Sequence, residues 1–173
     1  MLEHDRPISR RDFTRVGALG TAGLVLDRTL PAPAQQIPHA QLRSEFLLDM
    51  VLDVGTAQDL GPRRIVPITG GAFQGPRLRG VALDGGGDWS IRRPDGASEL
   101  NVRATLRTDD EQLIYIWYRG LLYRIGDTDE NYWRTTPVFE TASEKYHWLT
   151  RIITVGVARP VPGKAAFSVY QIL

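Results

Sequence analysis

Residues 98–123 read "SELNVRATLRTDDEQLIYIWYRGLLY", two runs of alternating side chains on either side of an acidic break. In the first run Leu100, Val102, Ala104 and Leu106 share one face, while Glu99, Asn101, Arg103, Thr105 and Arg107 share the other. A strict period of two is the period of a strand. Thr108, Asp109 and Asp110 follow, and short polar side chains of this kind stabilise a tight reversal. The second run, Gln112 to Tyr123, sets Leu113, Tyr115, Trp117 and Arg119 against Ile114, Ile116 and Tyr118. Neither of its faces is simply solvated. An isolated hairpin is marginal in water, so the rest of the chain has to complete a sheet around this one.

It supplies the material. Apolar or alternating runs at Leu42 to Val54, Arg64 to Thr69, Pro76 to Leu83, Asp88 to Arg92, Tyr132 to Glu140, Leu149 to Ala158 and Ala166 to Ile172 are punctuated by Gly, Pro, Asn and Asp. The only helical pattern is one turn near Ser143 to Trp148. In the first of these runs Phe46, Leu48, Met50, Leu52 and Val54 form an apolar face, with Glu45, Asp49 and Asp53 on the other. Asp84-Gly85-Gly86-Gly87 and Pro94-Asp95-Gly96 read as further hairpin turns. Strands joined by hairpins must close or stack to hide their edges. The sequence therefore predicts an all-β fold over residues 41–173: a single antiparallel β-barrel of about 8–10 strands with one short helical turn. The doubly apolar second run calls for an outer cover, for which a second copy of the chain, forming a homodimer, is the simplest candidate.

The chain begins differently. "SRRDFTRVGALGTAGLVL" at residues 9–26 places Arg10 and Arg11 before a weakly apolar run, and Pro31-Ala32-Pro33-Ala34 closes it. A basic start, a short apolar middle and a small-residue end are the layout of a cleavable export signal, and the middle is too short for a membrane anchor. The arginine pair resembles the twin-arginine (Tat) leader, with Thr14 departing from the usual aliphatic residue, and the resemblance implies export of folded protein to the periplasm or beyond. Residues 1–34 are the expected leader and 35–40 a linker. The leader takes with it five of the 21 basic and four of the 20 acidic residues, leaving a mature chain of zero net charge. Such a chain advertises no nucleic-acid partner. The absence of cysteine removes disulfides, thiolate metal sites and cysteine nucleophiles.

Several motifs dissolve on inspection. Gly70, Gly71 and Gly75, like Gly85 to Gly87, lead into strands and not into a helix, so they read as turn or bulge glycines, not as a phosphate cradle. Asp127, Asp129 and Asn131 match the start of a calcium loop, but Tyr132 and Val138 stand where it needs Gly and Glu. His147 is the one histidine of the predicted barrel, and a packed or surface role suits it better than catalysis. No metal and no cofactor is expected.

Two segments remain that could carry chemistry. The polar row of residues 99–107 either covers an apolar core from outside or turns inward, where each arginine would need an anionic partner. "YWRTTPVFE" at 132–140 sets Tyr132, Arg134 and Thr136 against Trp133 and Thr135. Aromatics beside arginines suit planar or carboxylate-bearing ligands.

Taken together, "VPITGGAFQGPRLRGVALDGGGDWSIRRPDG", "LNVRATLRTDDEQLIYIWYRG" and "RTTPVFETASEKYHWL" resemble the DUF3237 (UPF0311) family, from about Arg64 to the C-terminus. The resemblance implies a barrel of the calycin or allene-oxide-cyclase type, with function generally unassigned. It draws attention to Asp88, Trp89, Asn101, Arg103, Arg119, Arg134, Glu140 and Trp148, and Asn101 departs from the Asp more usual there.

The resulting expectation is an exported barrel that binds a small apolar or aromatic ligand, with or without a carboxylate, in its lumen. Asn101, Arg103, Tyr115, Trp117, Arg119, Trp133 and Arg134 are the candidate ligand contacts. The alternative is a cofactor-independent isomerase, cyclase or lyase with Glu140 or Asp88 as proton shuttle. A structural or interaction subunit, with a filled barrel, is the third reading.

Overall fold

The structure is a computed structural model and describes residues 39–173. The export leader assigned to residues 1–34 and most of the linker lie outside the described residues. The strands are β1 (Ser44–Val54), β2 (Gln58–Leu60), β3 (Arg63–Gln74), β4 (Arg79–Ala82), β5 (Gly86–Arg92), β6 (Ser98–Thr108), β7 (Leu113–Arg124), β8 (Asn131–Glu140), β9 (Thr154–Arg159) and β10 (Lys164–Ile172). A 3-10 helix, Glu144–Arg151, separates β8 from β9. All pairings are antiparallel, and β1 closes the cylinder by bonding to both β10 and β3. The result is a closed eight-stave barrel.

Ten strands make eight staves because β2 is a short flap paired only to β3, and because β4 and β5 together form one stave. Both pair with β3 on one side and β6 on the other, and not with each other. The Asp84–Gly87 segment is therefore a step within a stave, where the sequence suggested a hairpin. Asp84 Oδ1 accepts the Gly85 N–H at 2.7 Å while Leu83 N–H still bonds Thr105 across the sheet, so the chain bulges without reversing. The other two turns behave as their residues suggest. Gly96 donates to Arg93 between β5 and β6, and Thr108 and Gln112 close the β6–β7 turn.

Two smaller differences share one cause, local irregularity in an otherwise regular pattern. A register shift between Phe46 and Leu48 buries Leu47 beside Leu48 and turns Phe46 outward. Leu149, expected in a strand, instead belongs to the helix and is buried by it. The glycine run of β3 serves the barrel's bend. A Cβ on Gly71 would sit 2.4 Å from the Val51 carbonyl oxygen, so only glycine lets β1 and β3 meet there.

The barrel is filled at one end only. At the end holding the β3–β4 and β6–β7 turns, Leu48, Met50, Leu106, Ile114, Ile116, Phe139 and Val169 are fully buried, and the helix adds Tyr146 and Leu149 as a plug. Asp110 fastens that plug: its carboxylate accepts from Thr108 Oγ1 at 2.6 Å, Lys145 Nζ at 2.6 Å and the Tyr146 hydroxyl at 2.9 Å. These bonds hold its carboxyl well below the usual range, the Lys145 contact most of all. Arg77 stacks on Trp148 at 3.5 Å and covers the helix from outside.

Candidate functional site

The other end is open. A cavity of about 290 Å³ enters the barrel there, between the β5–β6 and β9–β10 turns, with Leu100, Val102, Leu122, Trp133 and Phe167 among its walls. It exists because the inner rows change in character along each strand. Toward the plug they carry large aliphatic groups that meet at the axis. Toward the mouth they carry Gly120, Ser90 and Ser98 as well as larger groups. Gly120 is required by packing: a Cβ there would lie 2.7 Å from the Arg134 carbonyl oxygen, 2.8 Å from Thr135 Cγ2 and 3.2 Å from Leu100 Cδ1.

One rung holds the polar chemistry. Val66 of β3 opposes Asp88 of β5, Asp88 opposes Val102 of β6, and Val102 opposes Tyr118 of β7. Because the pleat alternates, all four point inward. Asp88 Oδ1 accepts the Asn101 backbone N–H at 2.9 Å, substituting for the ladder bond that β5 does not supply there. Burial raises the carboxyl above its ordinary value, opposed by the Asn101 bond, the Arg64 charge and Ser90. Tyr118 is fully buried, and burial together with the Asp88 charge holds its phenol neutral far above its usual titration range. Arg64 lies next to this rung, as the diagonal neighbour of Asp88 on the same face. Trp133 packs edge-on against Phe167 at 5.2 Å and forms the opposite wall.

Of the side chains selected from sequence, Asp88 and Trp133 line this cavity. Asn101, Arg103, Tyr115, Trp117, Arg119, Arg134 and Glu140 do not: they stand on the outer wall of β6, β7 and β8, in register with one another. The reason is the pleat. Leu100, Val102, Ala104 and Leu106 are buried, so their alternates must face out. The same parity buries Ile114, Ile116 and Tyr118 and sends Tyr115, Trp117 and Arg119 outward. There Trp117 Nε1 donates to Glu140 at 3.0 Å, Arg103 lies over Trp89 at 5.5 Å, and Arg134 lies over Tyr132 at 5.1 Å. Glu140 is thus an exposed acceptor on the outer surface and has no access to the lumen. His147 is exposed on the helix, 3.4 Å from Arg151.

Arg64 and Tyr118 are among the lumen residues that the sequence does not single out. Tyr118 carried a signal, since it continues the Ile114 and Ile116 row. Arg64 carried a weaker one, sharing parity with Val66 and Ile68. Among the described residues no three His, Cys, Asp or Glu side chains gather to hold a metal.

The profile of the family described as "Protein of unknown function (DUF3237)" matches residues 38–172. The chain belongs to the DUF3237 family. A UPF0311 protein of Clostridium acetobutylicum is 34% identical over 137 residues, covering 72% of this chain and 87% of the relative. Among solved structures, a β-barrel-like protein of Acinetobacter baumannii superposes with a TM-score of 0.73 at 30% identity, covering 80% of this chain and all of its own. An enzyme from Penicillium herquei shares the fold at a TM-score of 0.65 and 24% identity, covering 78% of this chain and 97% of its own. The DUF3237 barrel is thus the frame on which the half-open lumen is built.

Proposed function

We propose that this DUF3237 barrel binds a small, largely apolar molecule in its lumen, and the half-filled interior carries the reading. A dry cavity of roughly 150 Å³ holds one benzene ring, so the 290 Å³ here matches about two fused or linked rings. Its walls are chiefly aliphatic and aromatic, with a few convergent polar groups, as ligand pockets usually are. A purely structural subunit would have no use for that space. A thermal-shift screen of aromatic acids and lipophilic metabolites tests the reading: stabilising hits are expected, and they should vanish in Leu122→Trp, which fills the cavity. Hits that persist in Leu122→Trp would place binding elsewhere.

A second reading has its own support. Asp88 and Tyr118 put a carboxyl of raised pKa and a neutral phenol on either side of Val102 in an apolar wall, both facing the lumen as cofactor-independent proton transfer needs. As an isomerase or lyase, the protein would lose turnover in Asp88→Asn while keeping affinity. As a binder it would lose neither affinity nor any activity.

The site of action we propose is outside the cytoplasm, on the strength of the Arg10-Arg11 leader. Lysines at both positions should retain the chain in the cytoplasm on fractionation.

A further inference from the structure

The mouth of the lumen carries one exposed cation that has no salt-bridge partner among the described residues. Arg64, Arg92 and Lys164 border the open end. Arg92 is paired with Asp59 and Lys164 with Asp53. Arg64 forms no ion pair among the described residues, and the only acid lining the cavity with it is Asp88, its diagonal neighbour across the β3–β5 ladder. We infer that the lumen selects an aromatic or similarly apolar monocarboxylate whose carboxylate docks on Arg64, and that docking drives a proton onto Asp88. The inference rests on the lumen being a binding site.

The coupling follows from one guanidinium serving two anions. In the empty barrel Arg64 helps to keep Asp88 ionised, against the burial that favours its neutral form. A bound carboxylate takes over the guanidinium through the forked geometry that arginine offers. It also brings a second negative charge close to the partly buried Asp88, and neighbouring like charges favour the neutral form of one of them. The protonated Asp88 still accepts the Asn101 N–H through its carbonyl oxygen, so the β5–β6 ladder survives.

No other group competes for that proton. From its own strand Asp88 is faced by Ser90 and, at the rim, Arg92, whose charge Asp59 already answers. β3 contributes Arg64, and β6 contributes Ser98 and the Asn101 N–H. β7 contributes the Tyr118 phenol, which stays neutral, and β10 contributes Lys164, held by Asp53. β1 and β8 present Leu52, Val54 and Trp133, none of which titrates.

Calorimetric titration of the protein with benzoate, 2-naphthoate and biphenyl-4-carboxylate, each beside its neutral amide, tests this. At least one acid should bind more than tenfold tighter than its amide. Its affinity should fall about tenfold per pH unit above the free-state pKa of Asp88, as one-proton linkage requires. Titrations in buffers of different ionisation enthalpy should show uptake of one proton per ligand. Arg64→Met should remove the preference for acid over amide by weakening acid binding about tenfold or more. Asp88→Asn should keep the preference and abolish the pH dependence. Equal binding of acids and amides by the wild type would overturn the inference while leaving the lumen reading standing. Failure of every acid and every amide would overturn both.

Discussion

Asp88 and Tyr118 stand on one rung of the barrel, on either side of Val102, and both point into the open half of the lumen. Each is held toward its neutral form, Asp88 by burial and Tyr118 by burial and the Asp88 charge. Asp88 and Tyr118 together are therefore uncharged whenever Asp88 is protonated, and its ionisation adds one negative charge beside Arg64.

That charge has a stability consequence. The folded-state pKa of Asp88 is raised above 3.8, so over the interval between the two values the folded state binds more protons than the unfolded one, and stability falls as pH rises through it. Above the folded pKa the cost is complete. Asp88→Asn keeps an acceptor for Asn101 and removes the charge, so its melting temperature should equal or exceed that of the wild type at pH 7. The difference should shrink as pH falls through 3.8 and vanish below it, where the carboxyl is neutral in both states. Melting curves across pH 3–8 measure it.

Asp110 predicts the opposite sign. Its bonds to Lys145, Thr108 and Tyr146 lower the folded pKa, so its contribution is fully present above the unfolded value of 3.8 and is lost as pH falls toward the folded one. Asp110→Asn should lower the melting temperature by a constant amount above about pH 5. The gap to the wild type should narrow on acidification below 3.8.

Gly71 is a packing constraint. In Gly71→Ala the new methyl meets the Val51 carbonyl oxygen at 2.4 Å and the Leu52 Cα at 2.9 Å. Moving two strand backbones apart in a closed barrel should cost roughly 2–4 kcal/mol. Urea denaturation measures it, and a loss below 1 kcal/mol would mean that β1 and β3 separate there without strain.

The outer wall should be silent for ligand binding. Arg103→Ala and Arg119→Ala remove charges that face away from the cavity, so affinity for any lumen ligand should change less than twofold. Trp117→Phe removes one exposed hydrogen bond, to Glu140, and should cost less than about 1 kcal/mol. Calorimetry and thermal melts check these together.

How far the sequence carries can be read from these same residues. Strict alternation placed β6 at its exact ends, and the Asp-rich turn after it joined the right neighbours. Asp84-Gly85 misled because a bulge and a hairpin use the same residue types, and only the unbroken presence of β3 and β6 on both sides decides between them. Which face turned inward was harder. On β7 both faces are apolar, so parity had to be inherited from β6, whose apolar row faces the core. Reading that row inward would have brought Tyr118 into the site and moved Trp117 and Glu140 out of it. Arg64 stayed hidden because it is a lone charge at the start of a strand, and only the diagonal across β3 and β5 gives it a neighbour.

Occupancy of the lumen is measured most directly by a methyl-resolved NMR titration of the protein with 2-naphthoate. Shifts should be confined to the methyls of the open half, Leu52, Leu100, Val102 and Leu122 with Val54, Val66 and Ile68, while Leu106 and Leu149 in the plug and Val138 on the outer wall stay still. Saturable shifts centred on Val138 and its neighbours, with the lumen methyls unmoved, would contradict the lumen as the binding site.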